Sequence, residues 1–195
     1  MPTLILVRHS IPAIDPARSA DQWSLSAEGR QRCAPLADRL AQHHPGVIVT
    51  SVEPKAVETA RLVAERLGLP LEVAEGLHEH DRRGVPFESR AAFEAAVARF
   101  FAEPARLVFG NETADGAHAR FAAAVAVVLA RHPGENVAVV THGTVMTLFV
   151  ARANRLEPFA FWRQLGLPAL VVLSRPGFEG LHVVENVKIE EGDQK

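Results

Sequence analysis

Short apolar runs alternate with amphipathic stretches along the chain, and two of these runs lead directly into a histidine. Leu4–Val7 is followed by Arg8 and His9, and Val137–Thr141 is followed by His142. An apolar run of this length that gives way to polar residues is typical of a strand buried on both faces of a parallel sheet. Ligands bind to such sheets at the carboxyl ends of the strands. The pattern therefore predicts that the arginine and the two histidines meet at one edge of a sheet.

The rest of the pattern predicts strands that alternate with helices. The expected strands are Thr3–Val7, Val47–Thr50, Leu71–Val73, Val137–Thr141, Ala169–Ser174 and Leu181–Val187. The expected helices begin near Ser26 and span Glu53–Leu67, Glu88–Ala102, Asp115–His132 and Thr144–Asn154. Pro35 predicts a kink or a restart in the first helix, and the polar residues Glu190–Lys195 are expected to fray. The alternation implies an α/β fold, a three-layer α/β/α sandwich around a mostly parallel central sheet.

Length and composition fit a single domain over residues 1–195. Hydrophobic residues make up 48% and charged residues 23% of the 195 residues, as in ordinary globular domains. No repeat or linker divides the chain, and its least regular part includes a lid-like insertion that we expect at about 80–112. The net charge is −2 without a long run of one sign, which argues against a nucleic-acid-binding surface.

Cysteine content and the lengths of the apolar segments bear on the compartment. Cys33 is the single cysteine, so no intrachain disulfide can form and a reducing compartment is the simple interpretation. The first apolar run, Leu4–Val7, is too short for a signal peptide, and Phe121–Ala130 is too short to span a bilayer. We therefore expect a cytoplasmic protein with no membrane or nucleic-acid partner, and the oligomeric state stays open.

The residues predicted at the sheet edge have chemistry suited to phosphoryl transfer. That reaction needs neutralisation of the phosphoryl oxygens and a positioned nucleophile. A neutral imidazole such as that of His9 is nucleophilic at pH 7 without a metal, and Arg8 can hold phosphate. Gly143 and Thr144 follow His142 at the start of a predicted helix, where free N–H groups suit an anion.

Two further stretches complete a family pattern. Leu25–Gln31 reads Leu-Ser-Ala-Glu-Gly-Arg-Gln, and Ser51–Ala60 ends in Lys-Ala-Val-Glu-Thr-Ala. Together with the Arg-His pair and with Thr-His-Gly at 141–143, they resemble the histidine phosphatase superfamily, also called the phosphoglycerate mutase-like family. The resemblance extends from residue 3 to about 175. It implies a phosphoglycerate mutase-like fold and phosphoryl chemistry that uses no cofactor and no metal.

The resemblance assigns roles to individual residues. It implies that His9 is transiently phosphorylated while Arg8 holds the phosphate. His142 becomes the second pocket histidine, which in its protonated form would donate a hydrogen bond to a phosphoryl oxygen. Lys55 stands where the family has a phosphate-binding arginine, so the charge is kept but the planar fork is lost. Ser10 likewise replaces the glycine that usually follows the Arg-His pair.

The proton donor for the leaving oxygen is expected in the loop after the third strand. The family places this acid in a Leu-x-Glu context, which Leu77–Glu79 matches, and Asp81 is the close rival of Glu79. The run His78–Asp81 also suggests a metal site, but adjacent ligands on a short loop lack the helical spacing of a zinc pair. The family's usual Gly-Glu-Trp-Glu-Gly-like run is replaced by residues 81–87.

These observations predict a metal-independent phosphatase that hydrolyses a small phosphate monoester through a phosphohistidine on His9. Aromatic residues of the lid-like insertion could line a leaving-group pocket or pack into the core, and we favour the core for Phe93 and Phe100. The set is Phe87, Phe93, Phe100, Phe101 and Phe109.

Three alternatives remain open from the sequence. A phosphoglycerate mutase-type enzyme would need a longer and more basic lid to hold a doubly anionic sugar acid. A phosphoprotein or phosphohistidine phosphatase would need an open crevice. Lys55 and Ser10 also leave open a catalytically weak protein that binds a phosphorylated ligand.

Overall fold

The structure is a computed structural model that describes residues 1–180, 182–184 and 187. Within these residues the strands are β1 (Thr3–Arg8), β2 (Val47–Thr50), β3 (Leu71–Val73), β4 (Val137–Thr141), β5 (Ala169–Ser174) and β6 (His182–Val184). The helices are α1 (Ala27–Gln31), α2 (Cys33–Ala41), α3 (Pro54–Leu67), α4 (Arg90–Ala102), α5 (Ala114–Arg131), α6 (Gly143–Asn154) and α7 (Pro158–Gln164). A 3-10 turn covers Ala20–Gln22.

The described strands form one sheet in the order β3-β2-β4-β1-β5-β6. The first four of these strands are parallel, whereas β5 pairs antiparallel with β1 and β6 pairs antiparallel with β5. The prediction of a mostly parallel sheet is confirmed. The register of β1 and β4 places Arg8 opposite Thr141, so His9 and His142 leave the sheet side by side.

Alternate residues of the central strands supply two separate cores. Leu4 and Leu6 of β1 face a cluster that includes Phe121 of α5, while Ile5 and Val7 face a cluster with Leu36 of α2. Successive side chains of a strand point to opposite faces, so a continuous apolar run is needed when helices cover both faces. This arrangement is the predicted three-layer sandwich.

The helix that begins after Ser26 restarts, as Pro35 predicts. The Ser26 hydroxyl accepts from the Gly29 N–H at 3.0 Å and caps α1. The helix is interrupted at Arg32, and α2 begins at Cys33. Pro35 therefore lies in the first turn of α2, where its missing N–H is tolerated.

Other differences from the prediction lie at segment ends and in one missed helix. The helix α7 is only seven residues long, too short for a periodic pattern to reveal. Of the strand predicted at Leu181–Val187, the structure describes His182–Val184 as strand. Residues 181, 185 and 186 and the predicted frayed segment Glu190–Lys195 lie outside the described residues.

The segment 80–112 leaves the sheet between β3 and α5 and carries α4. Val97, Phe100 and Phe101 of α4 are buried in the core, which confirms the core assignment of Phe100. The action of this segment as a lid stays a prediction. Among the described residues, no helix is both long and apolar enough to cross a membrane.

Candidate active site

His9 leaves the end of β1 with one ring nitrogen engaged and the other available. Its backbone N–H donates to the Thr141 carbonyl at 2.9 Å, and its Nδ1 lies 2.7 Å from the carbonyl oxygen of Ser10. A carbonyl only accepts, so Nδ1 carries the proton and the lone pair is on Nε2. Burial, followed by the charges of His142 and Lys55, holds the pKa of His9 well below its usual range. The ring is therefore neutral at pH 7, as a nucleophile must be.

His142 follows β4 and lies against His9, with ring centroids 5.1 Å apart. Its Nε2 is 2.8 Å from the Ser51 hydroxyl, while its Nδ1 is buried without a partner in the described part of the chain. Burial and the Lys55 charge hold the pKa of His142 well below its usual range. The second histidine is thus neutral here rather than the protonated donor expected from the sequence.

Arg8 is held over the start of α6 by a close backbone approach. Its Nη1 donates to the Leu165 carbonyl at 2.5 Å, and its buried Nε has no partner among the described residues. A Cβ at Gly143 would lie 2.9 Å from the Arg8 guanidinium carbon, so any side chain there would displace the cation. Burial lowers the pKa of Arg8 to about 10, which leaves it charged at neutral pH.

Lys55 occupies the expected place in the first turn of α3, but its charge is already engaged. The ammonium group is buried, pairs with the Glu53 carboxylate and donates to the Ala20 carbonyl at 2.7 Å. Glu53 also accepts from the Glu79 N–H at 2.7 Å. A bound phosphate must therefore compete with Glu53 for the lysine.

Removing the Glu53 charge is expected to tighten phosphate binding. Glu53→Gln keeps the side-chain shape but frees Lys55, and a charge-assisted hydrogen bond contributes about 1.5–3 kcal/mol, so we expect about tenfold stronger inhibition by inorganic phosphate. The matched control is Glu65→Gln on α3, the helix that carries Lys55, since Glu65 is exposed and pairs with Arg61. An unchanged inhibition constant in a folded Glu53→Gln protein would place Lys55 outside the phosphate site.

Glu79 lies at the N-terminus of α6, where it accepts from backbone N–H groups. Its oxygens accept from Thr144 at 3.0 Å, Val145 at 3.2 Å and His80 at 2.9 Å. Burial favours the neutral acid, but the charge of Arg82 and the N–H groups of Thr144 and His80 outweigh it and lower the pKa of Glu79 to about 2. The carboxylate is therefore ionised at neutral pH. Because Glu79 takes the Thr144 N–H, phosphate binding by Thr144 stays a prediction.

The side chains of the rival acid and of the neighbouring histidine are engaged by other residues. Asp81 pairs with Arg83 at 2.7 Å and accepts from Asn111 at 3.2 Å, and its hydrogen bonds with Arg83 hold its pKa below the usual range. His80 is buried, and its ring centroid lies 4.2 Å from that of Phe100. Its Nε2 lies 3.2 Å from the Glu112 carbonyl oxygen. In the described residues, no group of three potential metal ligands is assembled.

One cleft of about 360 Å³ connects most of these side chains. Arg8, His9, Lys55 and Glu79 line it together with Gly143 and Thr144. His142 is fully buried beside His9. The structure thus brings the sequence-predicted residues together at the carboxyl edge of β1 and β4, where a parallel sheet places its ligand.

A family model described as the histidine phosphatase superfamily, branch 1, matches residues 4–183. The chain belongs to the histidine phosphatase superfamily. No curated protein matches it at the sequence level. The match spans the sheet, both histidines and the loop that carries Glu79.

Solved structures of this superfamily share the fold. A mycobacterial glucosyl-3-phosphoglycerate phosphatase in complex with VO3 has a TM-score of 0.75 and 23% identity, over 94% of this chain and 98% of that one. A phosphoserine phosphatase mutant from Entamoeba histolytica, in complex with phosphoserine, has a TM-score of 0.73 and 17% identity, over 93% and 95%. YhfR from Bacillus stearothermophilus has a TM-score of 0.73 and 24% identity, over 94% and 95%. At these sequence identities, the similarity shows a shared fold.

Ser10, which departs from the superfamily pattern, has a structural role. Its side chain is fully buried, its hydroxyl donates to the Gly29 carbonyl at 2.7 Å, and its N–H donates to the Thr59 hydroxyl at 3.0 Å. It therefore ties the end of β1 to α1 and α3.

Arg82 is a cleft residue that the sequence analysis missed. It lines the cleft, and its guanidinium carbon lies 4.8 Å from the centroid of the Phe93 ring. It forms no ion pair in the part of the chain that the structure describes, and its charge acts on the pKa values of both Glu79 and Arg8. The available signal was its position in the run that replaces the superfamily's usual residues after the acid.

Arg120 is a second missed residue, and it acts on the loop rather than on the cleft. Its guanidinium donates to the carbonyls of Gly76, His78 and Glu79 at 2.8, 2.9 and 3.1 Å. It also pairs with Glu112 at 2.5 Å. An arginine on an amphipathic helix carries no sequence signal for such a contact.

Proposed function

We propose that this protein is a metal-independent phosphatase that hydrolyses small phosphate monoesters through a phosphohistidine on His9. The observation that carries the proposal is the fixed, neutral imidazole of His9, with Nδ1–H on a carbonyl and Nε2 free beside Arg8 and Lys55. Superfamily membership supports the same chemistry. Hydrolysis of an aryl phosphate in the presence of a chelator is the direct test.

In the first step, Nε2 of His9 attacks phosphorus while the bond to the leaving oxygen breaks. The electron pair of that bond goes to the leaving oxygen, and the Nε2–P bond forms. In the second step, water gives a proton to the Glu79 carboxylate as its oxygen attacks the phosphohistidine, the electron pair of the N–P bond returns to Nε2, and inorganic phosphate is released. Arg8, the freed Lys55 and the N–H of His142 offset the charge on the non-bridging oxygens.

The proton for an alkoxide leaving group must enter with the substrate. Glu79 is ionised in the free protein, and a phosphate monoester has a second pKa of about 6. The negative charge of the bound phosphoryl group raises the pKa of Glu79 above its value in the free protein, so the proton of the monoanion can move to the Glu79 carboxylate, which then passes it to the leaving oxygen. Glu79 thereby acts as the general acid although it carries no proton before substrate binds.

The substrate class that we propose is a small phosphate monoester. Similar solved structures include a phosphoserine phosphatase and a glucosyl-3-phosphoglycerate phosphatase, which by their names act on phosphate esters of small molecules. A phosphoglycerate mutase-type reaction would require the cleft to hold a second anionic group. Of the five cations that line the cleft among the residues that the structure describes, Arg18 and Arg90 pair with Asp15 and Glu94, which leaves Arg8, Lys55 and Arg82 for the first anionic group.

Arg82 is expected to add binding energy for the phosphoryl group. Arg82→Gln should lower kcat/KM for an aryl phosphate by about 10- to 100-fold, because a charge-assisted hydrogen bond to the transition state is lost. The matched control is Arg83→Gln, since the next arginine in the same loop is exposed and pairs with Asp81. Equal effects of the two substitutions would show that the loop, and not the Arg82 charge, matters.

A further inference from the structure

We propose that the substrate of this site carries an apolar, aromatic leaving group. The proposal rests on the phosphatase function above and concerns the part of the substrate that does not contain phosphate. It follows from the walls of the cleft beyond His9, which the phosphoryl chemistry does not use.

Aromatic side chains from separate segments form these walls. Trp23 comes from the loop after β1, Phe87 and Phe93 come from the segment 80–112, and Trp162 comes from α7. They form two ring pairs, Trp23 with Phe87 at 6.3 Å and 58°, and Phe93 with Trp162 at 6.0 Å and 63°. Tilted pairs of this kind leave ring faces and edges that favour another aromatic ring.

Apart from Arg82, which the phosphoryl group is expected to engage, several polar groups near these rings have partners within the protein. The Trp23 indole N–H donates to the Asp15 carbonyl at 3.0 Å. At the rim, Arg18 pairs with Asp15 at 3.4 Å and Arg90 pairs with Glu94 at 2.7 Å. Hydroxyl groups placed against these rings would lose hydrogen bonds to water, because the ring faces offer no replacement.

Large apolar side chains are exposed to solvent at the mouth of the cleft. Phe87 is 55% exposed and Ile14 is 60% exposed, and both line the cleft that contains His9. Grouped exposed apolar residues mark ligand-binding grooves, and small-molecule sites typically join apolar walls to a few orienting polar groups. Arg8 and Lys55 are the polar end of such a site, so the occupant is a phosphate joined to an aromatic group.

The test compares 2-(2-naphthyl)ethyl phosphate with propyl phosphate. Both are esters of primary alcohols, so the leaving oxygens have similar basicity and the chemical step is matched. We expect kcat/KM for the naphthyl ester to be about 10- to 100-fold higher, because its rings are transferred from water into the apolar cleft. Phe87→Ala should reduce this ratio several-fold. Leu107→Ala should leave both rates at wild-type values, since Leu107 lies in the same segment, is 57% exposed and does not line the cleft.

A binding measurement separates this proposal from the proposed function. In His9→Ala protein, calorimetry should show tighter binding of the naphthyl ester than of the propyl ester by a similar factor. Turnover of both esters with equal kcat/KM, or an equal loss with Phe87→Ala and Leu107→Ala, would overturn the aromatic leaving group alone. Preferential binding of the naphthyl ester without any turnover by the wild type would support the leaving-group site and overturn the phosphatase.

Discussion

Replacing His9 with alanine is expected to abolish turnover of every phosphate monoester. The substitution removes the atom that forms the bond to phosphorus, and loss of a nucleophile costs on the order of 10⁴-fold or more in kcat. The measurement is aryl phosphate hydrolysis with chelator present, together with acid-labile phosphoryl labelling of the protein. Both signals should disappear in His9→Ala.

His118→Gln is the matched control for this experiment. His118 lies on α5, packs against Phe149 and does not line the cleft, so rates and labelling should stay at wild-type values. Near wild-type turnover in a His9→Ala protein with an unchanged melting temperature would contradict the nucleophile assignment.

Glu79→Gln is expected to damage alkyl phosphate hydrolysis far more than aryl phosphate hydrolysis. An alkoxide is strongly basic and must be protonated as it leaves, whereas a phenolate needs little help, and general acid catalysis contributes roughly 10²- to 10⁴-fold where it is needed. Steady-state kcat/KM for one ester of each kind provides the comparison. Since the proton enters with the substrate monoanion, wild-type kcat/KM for the alkyl ester should also decline above about pH 6.

An equal loss on both esters would assign Glu79 to structure or phosphate binding instead. Asp81→Asn is then the informative variant, because Asp81 is the other carboxylate of the same loop. In this structure Asp81 is held by Arg83 and Asn111, so we expect Asp81→Asn to change both esters equally.

The same Glu79 substitution also has a pH-dependent effect on stability. The pKa of Glu79 is lowered from 4.5 to about 2 by the surrounding charges and N–H groups, against the effect of burial. A lowered carboxyl pKa stabilises the fold above the unfolded-state value, and this contribution is lost as the pH falls through the folded-state value. The difference in unfolding free energy between wild type and Glu79→Gln, measured in urea, should therefore be largest near pH 7. It should shrink between pH 4.5 and pH 2.

The parts of the fold that sequence reasoning anticipated are those with strong local signals. The continuous apolar run of β1 needs helices on both faces, and the cap at Ser26 and the proline at position 35 mark where α1 and α2 begin. The missed helix α7 has fewer than two turns, so its position depends on packing of Phe161 and Trp162 rather than on a repeat.

The same distinction applies to the residues of the candidate site: local sequence patterns predicted some of them, and only the fold placed the others. The placement of His9 and His142 followed from two strands that end on a histidine, because parallel neighbours bring their ends together. Arg82 was missed because a cation in an irregular loop can face any direction, and only the fold places it over Phe93. Phe93, which we expected in the core, packs against it while only partly buried and also lines the cleft, because α4 presents it to Trp162.

By itself, the sequence determined the family, the layered sheet and the pair of histidines at its edge, since each depends on residue type and short spacing. The tertiary structure decided the states of these groups. It set the proton of His9 on Nδ1 through the Ser10 carbonyl, engaged Lys55 with Glu53, and ionised Glu79 through Arg82 and the N-terminus of α6. These states depend on distances between segments far apart in the chain, and hydrogen bonds and charge interactions change steeply with such distances.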